Sequence, residues 1–366
     1  MRATIEGRAR ISASGGVFYN PKMAKLRDIS VLFVKAAVEG NAKLLDCTAA
    51  SGVRGIRYAL EAGVKDATLI DINADAARAA RANAKANGLK LRVLNESIQE
   101  FANTRGDEAF DVIDLDPFGT PVPYVNDLLK LSKDGTLFMI TATDTATLCG
   151  AEEKACVKLY GSRPSHNELC HEAGVRILLN YVAREAAQFN FGIEPALSIA
   201  DMHYMRVFVF LRRSAEKAFR SVSSSGFGAS CPNCHNFSIA RGIVPQVETK
   251  CGNCGKKMNA FGPLWLGGLH DKEIVSKMLK LGKGYSPEAV RLLENVNGEL
   301  DVPFFYDLSK ITEHLRMSSV PMGRVVDDLA KRHSVSRTHF SPNCIKTDAG
   351  VGEIIASAKK ASRAKA

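Results

Sequence analysis

Residues 43–63 read KLLDCTAASGVRGIRYALEAG. A short apolar run reaches Asp46 and Cys47, a turn of small residues follows, and a helix then opens and closes at Gly63. The turn Ala50-Ser51-Gly52-Val53-Arg54-Gly55 has the spacing of a Rossmann-type glycine turn with alanine in the first glycine place. Gly52 lets the backbone approach a ligand, and Gly55 lets the helix pack against its strand. A second strand, DATLIDIN (66–73), delivers Asp71 19 residues after Gly52, where a carboxylate takes ribose hydroxyls. The stretch predicts a nucleoside cofactor at the carboxyl edge of a parallel sheet.

The pattern extends on both sides. Downstream come the alanine-rich helix ADAARAARANAKANG (74–88) and strands LRVLNES (91–97), FDVIDLD (110–116) and GTLFMITATD (135–144). Strands alternating with helices at this pitch predict an α/β fold, a doubly wound parallel sheet. Two further strand-like runs, EPALSIADM (194–202) and YMRVFVFLRR (204–213), follow a long helix over 167–189 and predict a hairpin at the sheet edge. Upstream, residues 4–11 read as a short strand. NPKMAKLRDISVLFVKAAVEG (20–40) reads as a helix capped by Asn20, with Pro21 in its first turn. The serine-rich SVSSSGFGAS (221–230) reads as a linker.

With 366 residues the chain is too long for one ordinary core, and two or three domains are expected. No apolar run approaches the ~18 residues that span a bilayer. MRATIEGRARI at the start lacks an apolar leader, and Glu6 argues against a transit peptide, so a cytoplasmic protein with no membrane partner is expected. Against 39 acidic residues stand 49 basic ones, a net charge of +10. A basic surface favours polyanions, chiefly nucleic acid.

The strand 110–116 continues into DVIDLDPFGTP (111–121), which delivers Asp114 and Asp116 to the ligand edge on one face. An exocyclic amine on a nucleobase is a poor nucleophile, because its lone pair is delocalised into the ring. A carboxylate and a backbone carbonyl that accept hydrogen bonds from the NH2 draw the lone pair out and stabilise the charge that builds on nitrogen. Asp116 supplies the carboxylate, Pro117 holds its carbonyl towards the site, and Phe118 gives the base a ring to stack on, worth ~1–3 kcal/mol. Two close carboxylates repel, so Asp114 is the supporting or competing candidate. S-adenosylmethionine carries no phosphate but a cationic sulfur, and acids such as Asp46 make sense beside it. A methyl transfer to an amino nitrogen is the reaction these residues predict.

Nine cysteines include Cys231-x-x-Cys234 and Cys251-x-x-Cys254, with sixteen residues between the pairs. That spacing is a zinc-ribbon spacing, and four thiolates make a closed structural Zn2+ site with no open position for chemistry. His235 is a competing ligand. His166, Glu168 and His171 lie at helical spacings and read as a helix face rather than a metal site. The last third carries helices at 287–300 and 305–315, a helix-then-basic run PMGRVVDDLAKRHSVSRTHFSP (321–342), and the tail AKKASRAKA. It predicts a winged-helix-like unit with Arg337, Thr338 and His339 facing RNA.

DLDPFGTP, with FYNPKMAKLRD upstream and LDCTAASGVRGIR between, resembles the tRNA guanine-26 N2-methyltransferase (dimethyltransferase) family. ATDTATLCGA, ELCHEAGVRIL, FGPLWLG, DVPFFYD and SRTHFSP extend the resemblance over most of the chain. It implies transfer of one or two methyl groups from S-adenosylmethionine to the exocyclic amine of a tRNA guanine. It also implies that Arg27, Arg54 and Asp71 are cofactor contacts, and that Phe18 and Phe118 bracket the target base. Where the family has an acidic-small pair after the third strand, near the adenine, this chain departs and reads Glu96-Ser97-Ile98, which puts Ser97 and Ile98 at that place. The expected organisation is a methyltransferase domain over 1–220, a zinc ribbon over 221–262 and a tRNA-binding C-terminal domain over 263–366, with no obligate protein partner. Two rivals stand beside it: an amino-methyltransferase acting on rRNA or DNA, and a non-catalytic zinc-ribbon nucleic-acid-binding protein.

Overall fold

The computed structural model describes residues 4–13, 17–201 and 203–363. Met202 of the expected edge hairpin and 364–366 of the basic tail lie outside them. Residues 4–11 form two strands, β1 (Thr4–Glu6) and β2 (Ala9–Ile11), paired antiparallel. Asn20 caps as expected: its side chain accepts the Lys22 N–H, Pro21–Met23 make one tight turn, and α1 (Ala24–Ala37) follows.

Seven strands form the central sheet. In chain order the elements are β3 (Lys43–Asp46), α2 (Val53–Glu61), β4 (Asp66–Ile70), α3 (Ala74–Ala86), β5 (Arg92–Leu94), α4 (Ile98–Thr104), β6 (Phe110–Leu115), α5 (Val122–Lys130) and β7 (Ser132–Ala142). Three helices, α6 (Thr145–Leu148), α7 (Glu153–Tyr160) and α8 (Cys170–Ala187), lead to the hairpin of β8 (Phe191–Asp201) and β9 (Tyr204–Arg213). The strand order is β5-β4-β3-β6-β7-β9-β8. The first five strands run parallel, and β9 runs antiparallel to β7, so the expected edge hairpin is present. The chain turns from β3 towards β4 on one side and β6 on the other. That switch point is where open α/β sheets hold ligands.

Strand alternation sorts the core. Leu45, Ile113 and Phe138 face the layer of α4, α5 and α8, while their neighbours Leu44, Val112 and Met139 face α1. On that second face Phe33 stacks on Phe208 with ring centroids 4.6 Å apart.

The serine-rich stretch is not a linker. It holds the end of α9 (Ala215–Ser223) and all of β10 (Ser225–Ser230), the middle strand of a sheet with β11 (Phe237–Arg241) and β12 (Asn259–Trp265). Ser221, Ser225 and Ser230 are buried and specifically bonded. Ser221 Oγ accepts the Ile193 N–H at 2.9 Å, and Ser225 Oγ donates to Asn180 Oδ1 at 2.5 Å. These bonds fasten α9 to β8 and β10 to α8.

Beyond the ribbon, α10 (Lys272–Leu281) and α11 (Pro287–Gly298) share a core with α1. Val275, Met278, Leu293 and Val296 join Leu26 and Phe33. Only then does a separate small core begin, in β13 (Tyr306–Asp307), α12 (Leu308–His314), α13 (Met322–Leu329), β14 (Val335–Arg337), β15 (Cys344–Thr347) and α14 (Val351–Arg363). Its sheet order is β13-β15-β14.

Two of the three residues expected to face RNA do not. Thr338 is buried, and His339 is enclosed against Phe340, with Nδ1 2.7 Å from Glu299 Oε2. Glu299 explains this. Burial would push its carboxyl up, but His339 and Lys346 hold it well below the usual range. A buried carboxylate needs such partners. Arg337 is exposed. His166 and Glu168 precede α8 rather than sharing its face, and bond to Cys149 O and His235 respectively. Among the described residues no helix is long and apolar enough to cross a membrane.

Candidate active site

The glycine turn is built as its sequence reads. Gly52 caps α2 with φ 78°, and a Cβ there would sit 3.0 Å from Ala80. At Gly55 a Cβ would lie 2.6–2.9 Å from the side chain of Leu69 in β4. Leu69 is fully buried and has nowhere to retreat. Gly55→Ala is therefore expected to cost about 1–3 kcal/mol, read as a lower urea midpoint. An unchanged midpoint would show that α2 does not press on the sheet here.

Asp71 ends the turn's support. Its Oδ2 accepts the Ala50 N–H and its Oδ1 the Asn73 N–H, each at 2.8 Å. Beside it Ile72 is 76% exposed, an apolar side chain presented at the ligand edge that sequence reasoning missed. Asn95 pins this corner by donating to the carbonyls of Asp71 and Ile72. Ser97 caps α4 through the Glu100 N–H at 3.1 Å, and Ile98 is buried beneath it.

The two acids of the strand tip are not equivalent. Asp114 is fully buried and saturated: Tyr58 Oη donates to it at 2.5 Å and Arg206 Nη2 at 2.7 Å, with Arg54 Nε at 3.8 Å. Burial raises its carboxyl, and Arg206 and Arg54 outweigh that and bring it down. Both of its oxygens are thus taken by donors within the protein. Asp116 follows the strand. Its Oδ2 pairs with Arg54, and its Oδ1 is buried with no partner among the described residues. A buried acceptor left open costs about 1–3 kcal/mol, so the oxygen is poised for a donor.

The tip is held rigidly. Thr48 Oγ1 donates to the Asp116 carbonyl at 3.0 Å. The Gly119 N–H donates to Thr143 Oγ1 at 2.7 Å, and the Thr143 N–H returns a bond to Gly119 O at 2.9 Å. Phe118, 75% exposed just past Pro117, meets Phe18, 49% exposed, with centroids 4.7 Å apart at 83°. The two rings expected to bracket a base are thus neighbours, edge to face.

Three of the expected cofactor contacts are engaged by partners within the protein. Arg54 lies between Asp116 and Asp114, and their charges hold its proton against burial. Arg27 grips Glu6 through both Nε and Nη2, and also donates to the Asn20 carbonyl. Arg57 joins the same carboxylate and bridges to Asp28 and Glu61, a buried ionic cluster under the β1–β2 hairpin. Asp46 is wholly buried beneath the turn, its Oδ2 accepting the Gly55 N–H at 3.2 Å, so it buttresses α2.

Burial, only partly offset by Arg54, pushes the Asp46 carboxyl from 3.8 to about 7. The folded chain therefore holds this proton more tightly than the unfolded chain. Its stabilising share is present at low pH and is lost as pH rises through about 7. Urea midpoints at pH 6 and pH 8 are expected to fall with pH in the wild type and less steeply in Asp46→Asn; equal slopes would refute it.

Arg206, Tyr58, Thr48 and Thr143 were missed. A signal existed for Arg206: an arginine inside the apolar run YMRVFVF must bury its charge and so demands a carboxylate.

In the ribbon, the four expected cysteines converge, their sulfurs within 4.8 Å of one another. Cys231 and Cys254 lie 3.5 Å apart, Cys234 and Cys251 3.6 Å. A tetrahedral ion with bonds of ~2.3 Å puts sulfurs ~3.8 Å apart, so the set fits Zn2+. Each pair closes a matching turn, with the His235 N–H donating to Cys231 O and the Gly255 N–H to Cys251 O. His235 is not a ligand; its ring bonds Glu168 at 2.8 Å.

An open carboxylate oxygen beside a nucleoside-binding turn is the equipment of a class I S-adenosylmethionine-dependent methyltransferase that acts on amino nitrogen. The comparisons narrow the class. The family model for N2,N2-dimethylguanosine tRNA methyltransferase matches residues 1–359, and the chain belongs to that family. It is 36% identical over 358 residues to the tRNA (guanine(26)-N(2))-dimethyltransferase of Methanothermobacter thermautotrophicus, covering 94% of this chain and 93% of that one. The enzyme of the same name from Thermococcus kodakarensis is 36% identical over 378 residues, covering 96% and 97%. The structure of Trm1 from Pyrococcus horikoshii in complex with S-adenosyl-L-methionine superposes with a TM-score of 0.89 at 33% identity, covering 98% and 99%.

Proposed function

We propose that this chain transfers one or two methyl groups from S-adenosylmethionine to the exocyclic N2 of guanine 26 in tRNA. The observation that carries the reading is the Oδ1 of Asp116 at the strand tip, buried with no partner among the described residues. When bound, S-adenosylmethionine supplies an electrophilic methyl on a cationic sulfur. The Gly52 turn, Asp71, Ile72 and Ser97 line the edge that would hold it.

The target guanine must leave its stack to reach this edge. Phe18 and Phe118 part to take it between them. Asp116 Oδ1 and the Pro117 carbonyl accept the two amine hydrogens and turn the nitrogen lone pair towards the methyl group. Arg54, fixed by Asp114, aims Asp116, and Arg206 and Tyr58 fix Asp114. A second transfer needs the product to present its remaining N–H to the same oxygen. The ribbon and the C-terminal unit, winged-helix-like in its order of helices and strands, grip the tRNA body; the zinc shapes that surface. The protein works in the cytoplasm and needs no protein partner.

Mass spectrometry of nucleosides from tRNA treated with the pure protein tests this. N2-methyl- and N2,N2-dimethylguanosine at position 26 are expected. Transfer only to rRNA or DNA would favour the first rival, and transfer to none would favour the binder. Phe118→Ala is expected to raise KM for tRNA by about five- to a hundredfold, from a stacking contribution of ~1–3 kcal/mol. An unchanged KM would remove the ring from base binding.

A further inference from the structure

Away from the acid tip the fold gathers a second thiol pair. Cys149 follows the last residue of α6, and Cys170 is the first residue of the 18-residue helix α8. Their sulfurs and the His171 Nδ1 lie within 4.8 Å of one another, and all three side chains are partly accessible. The arrangement differs from the ribbon. There the cysteines face one another across two matching turns. Here the imidazole comes from the residue next to Cys170, with Nδ1 4.0 Å from its sulfur.

The two sulfurs have different characters. Cys170 stands in the first turn of a long helix, whose dipole favours an anion. The Cys149 thiol donates towards it, burial opposes, and His171 adds its share, which brings the Cys170 thiol down to about 5. The same contact, together with burial, pushes the Cys149 thiol up. One sulfur is a nucleophile; its neighbour keeps a proton to give.

We propose that Cys149 and Cys170 are a reversible redox pair that closes to a disulfide on meeting hydrogen peroxide. The Cys170 thiolate attacks a peroxide oxygen: an S–O bond forms, the O–O bond breaks, and the leaving oxygen departs as water after taking a proton. The Cys149 sulfur then attacks the sulfenic sulfur of Cys170. An S–S bond forms, the S–O bond breaks, and a second water leaves with the Cys149 proton. In sum two thiols give up two electrons and two protons, and one peroxide becomes two waters.

Closure draws the sulfurs to about 2.05 Å. The strain falls on α6, which begins two residues after Thr143, the residue whose N–H and hydroxyl clamp Gly119 of the acid tip. Oxidation thereby slows methyl transfer.

The test uses the full-length, zinc-loaded protein and hydrogen peroxide. Peptide mapping is expected to show the Cys149 and Cys170 peptides linked, with a loss of about 2 Da that dithiothreitol reverses. Transfer to tRNA is expected to fall several-fold and recover with the thiol. Cys149→Ser should instead stop at a Cys170 sulfenic acid, about 16 Da heavier, and Cys170→Ser should leave Cys149 unreacted. Both thiols still free after exposure, or an equal activity loss in wild type and Cys149→Ser, would overturn the proposal. The mass readout does not depend on methyl transfer, so it stands apart from the test of the proposed reaction.

Discussion

Asp116→Asn is expected to fold, to take up S-adenosylmethionine, and to transfer methyl groups at least about 100-fold more slowly than the wild type. Asparagine keeps the shape of aspartate and one acceptor oxygen, so the loss comes from orientation. The Arg54 guanidinium offers only donors. It will draw the amide oxygen to the place Oδ2 now holds, leaving the amide NH2 where, in the proposed reading, Oδ1 meets the guanine amine. Donor then faces donor. Single-turnover transfer to tRNA, with cofactor binding measured separately by calorimetry, reads the effect. A rate within a few-fold of wild type would remove Asp116 from its role.

Loss of the metal is expected to have the largest structural effect. The ribbon's own apolar cluster is Ala229, Met258 and the cysteines themselves, with Val247 against it. So small a core cannot hold two loops together without the ion, and structural zinc contributes ~10–16 kcal/mol in comparable small domains. Cys251→Ser should drop the metal content from about one ion per chain towards zero and open residues 231–258 to protease. The central sheet should keep its protection, because β12 remains anchored through Phe261, Leu264 and Trp265 in the main core. Full metal content in Cys251→Ser by elemental analysis, or an intact ribbon after chelation, would contradict this.

Much of this was legible in the chain. Local rules sufficed wherever the determinant was local: the strand–helix alternation, the Asn20 cap, the close approach at Gly55, the cysteine spacing. Buried charge was the part that sequence could not place. Arg54 and Asp116 are 62 residues apart, Arg206 and Asp114 are 92, and Arg27 and Glu6 are 21. No periodicity announces which cation a carboxylate will find. The partners of Arg27, Arg54 and Asp46 inside the fold were invisible in the chain for that reason, as was the difference in surroundings between Asp114, whose two oxygens are engaged, and Asp116, whose Oδ1 is open among the described residues. Composition misled at Ser221–Ser230, where hydroxyls that look solvent-loving close buried hydrogen bonds. Charge misled at His339, whose ring serves Glu299 inside the fold.

The edge-on pair of Phe18 and Phe118 bears on selectivity. An aromatic pair of this kind contributes ~0.5–1.5 kcal/mol, and a base slotted between rings ~1–3 kcal/mol. In the proposed reading, parting the rings takes back a share of what stacking gives. The slot then checks flatness with only part of the stacking energy left as affinity, too little to retain a lone guanosine for long. Discrimination among guanines then rests with the distant polynucleotide scaffold, which alone has enough surface to hold the right one at the door.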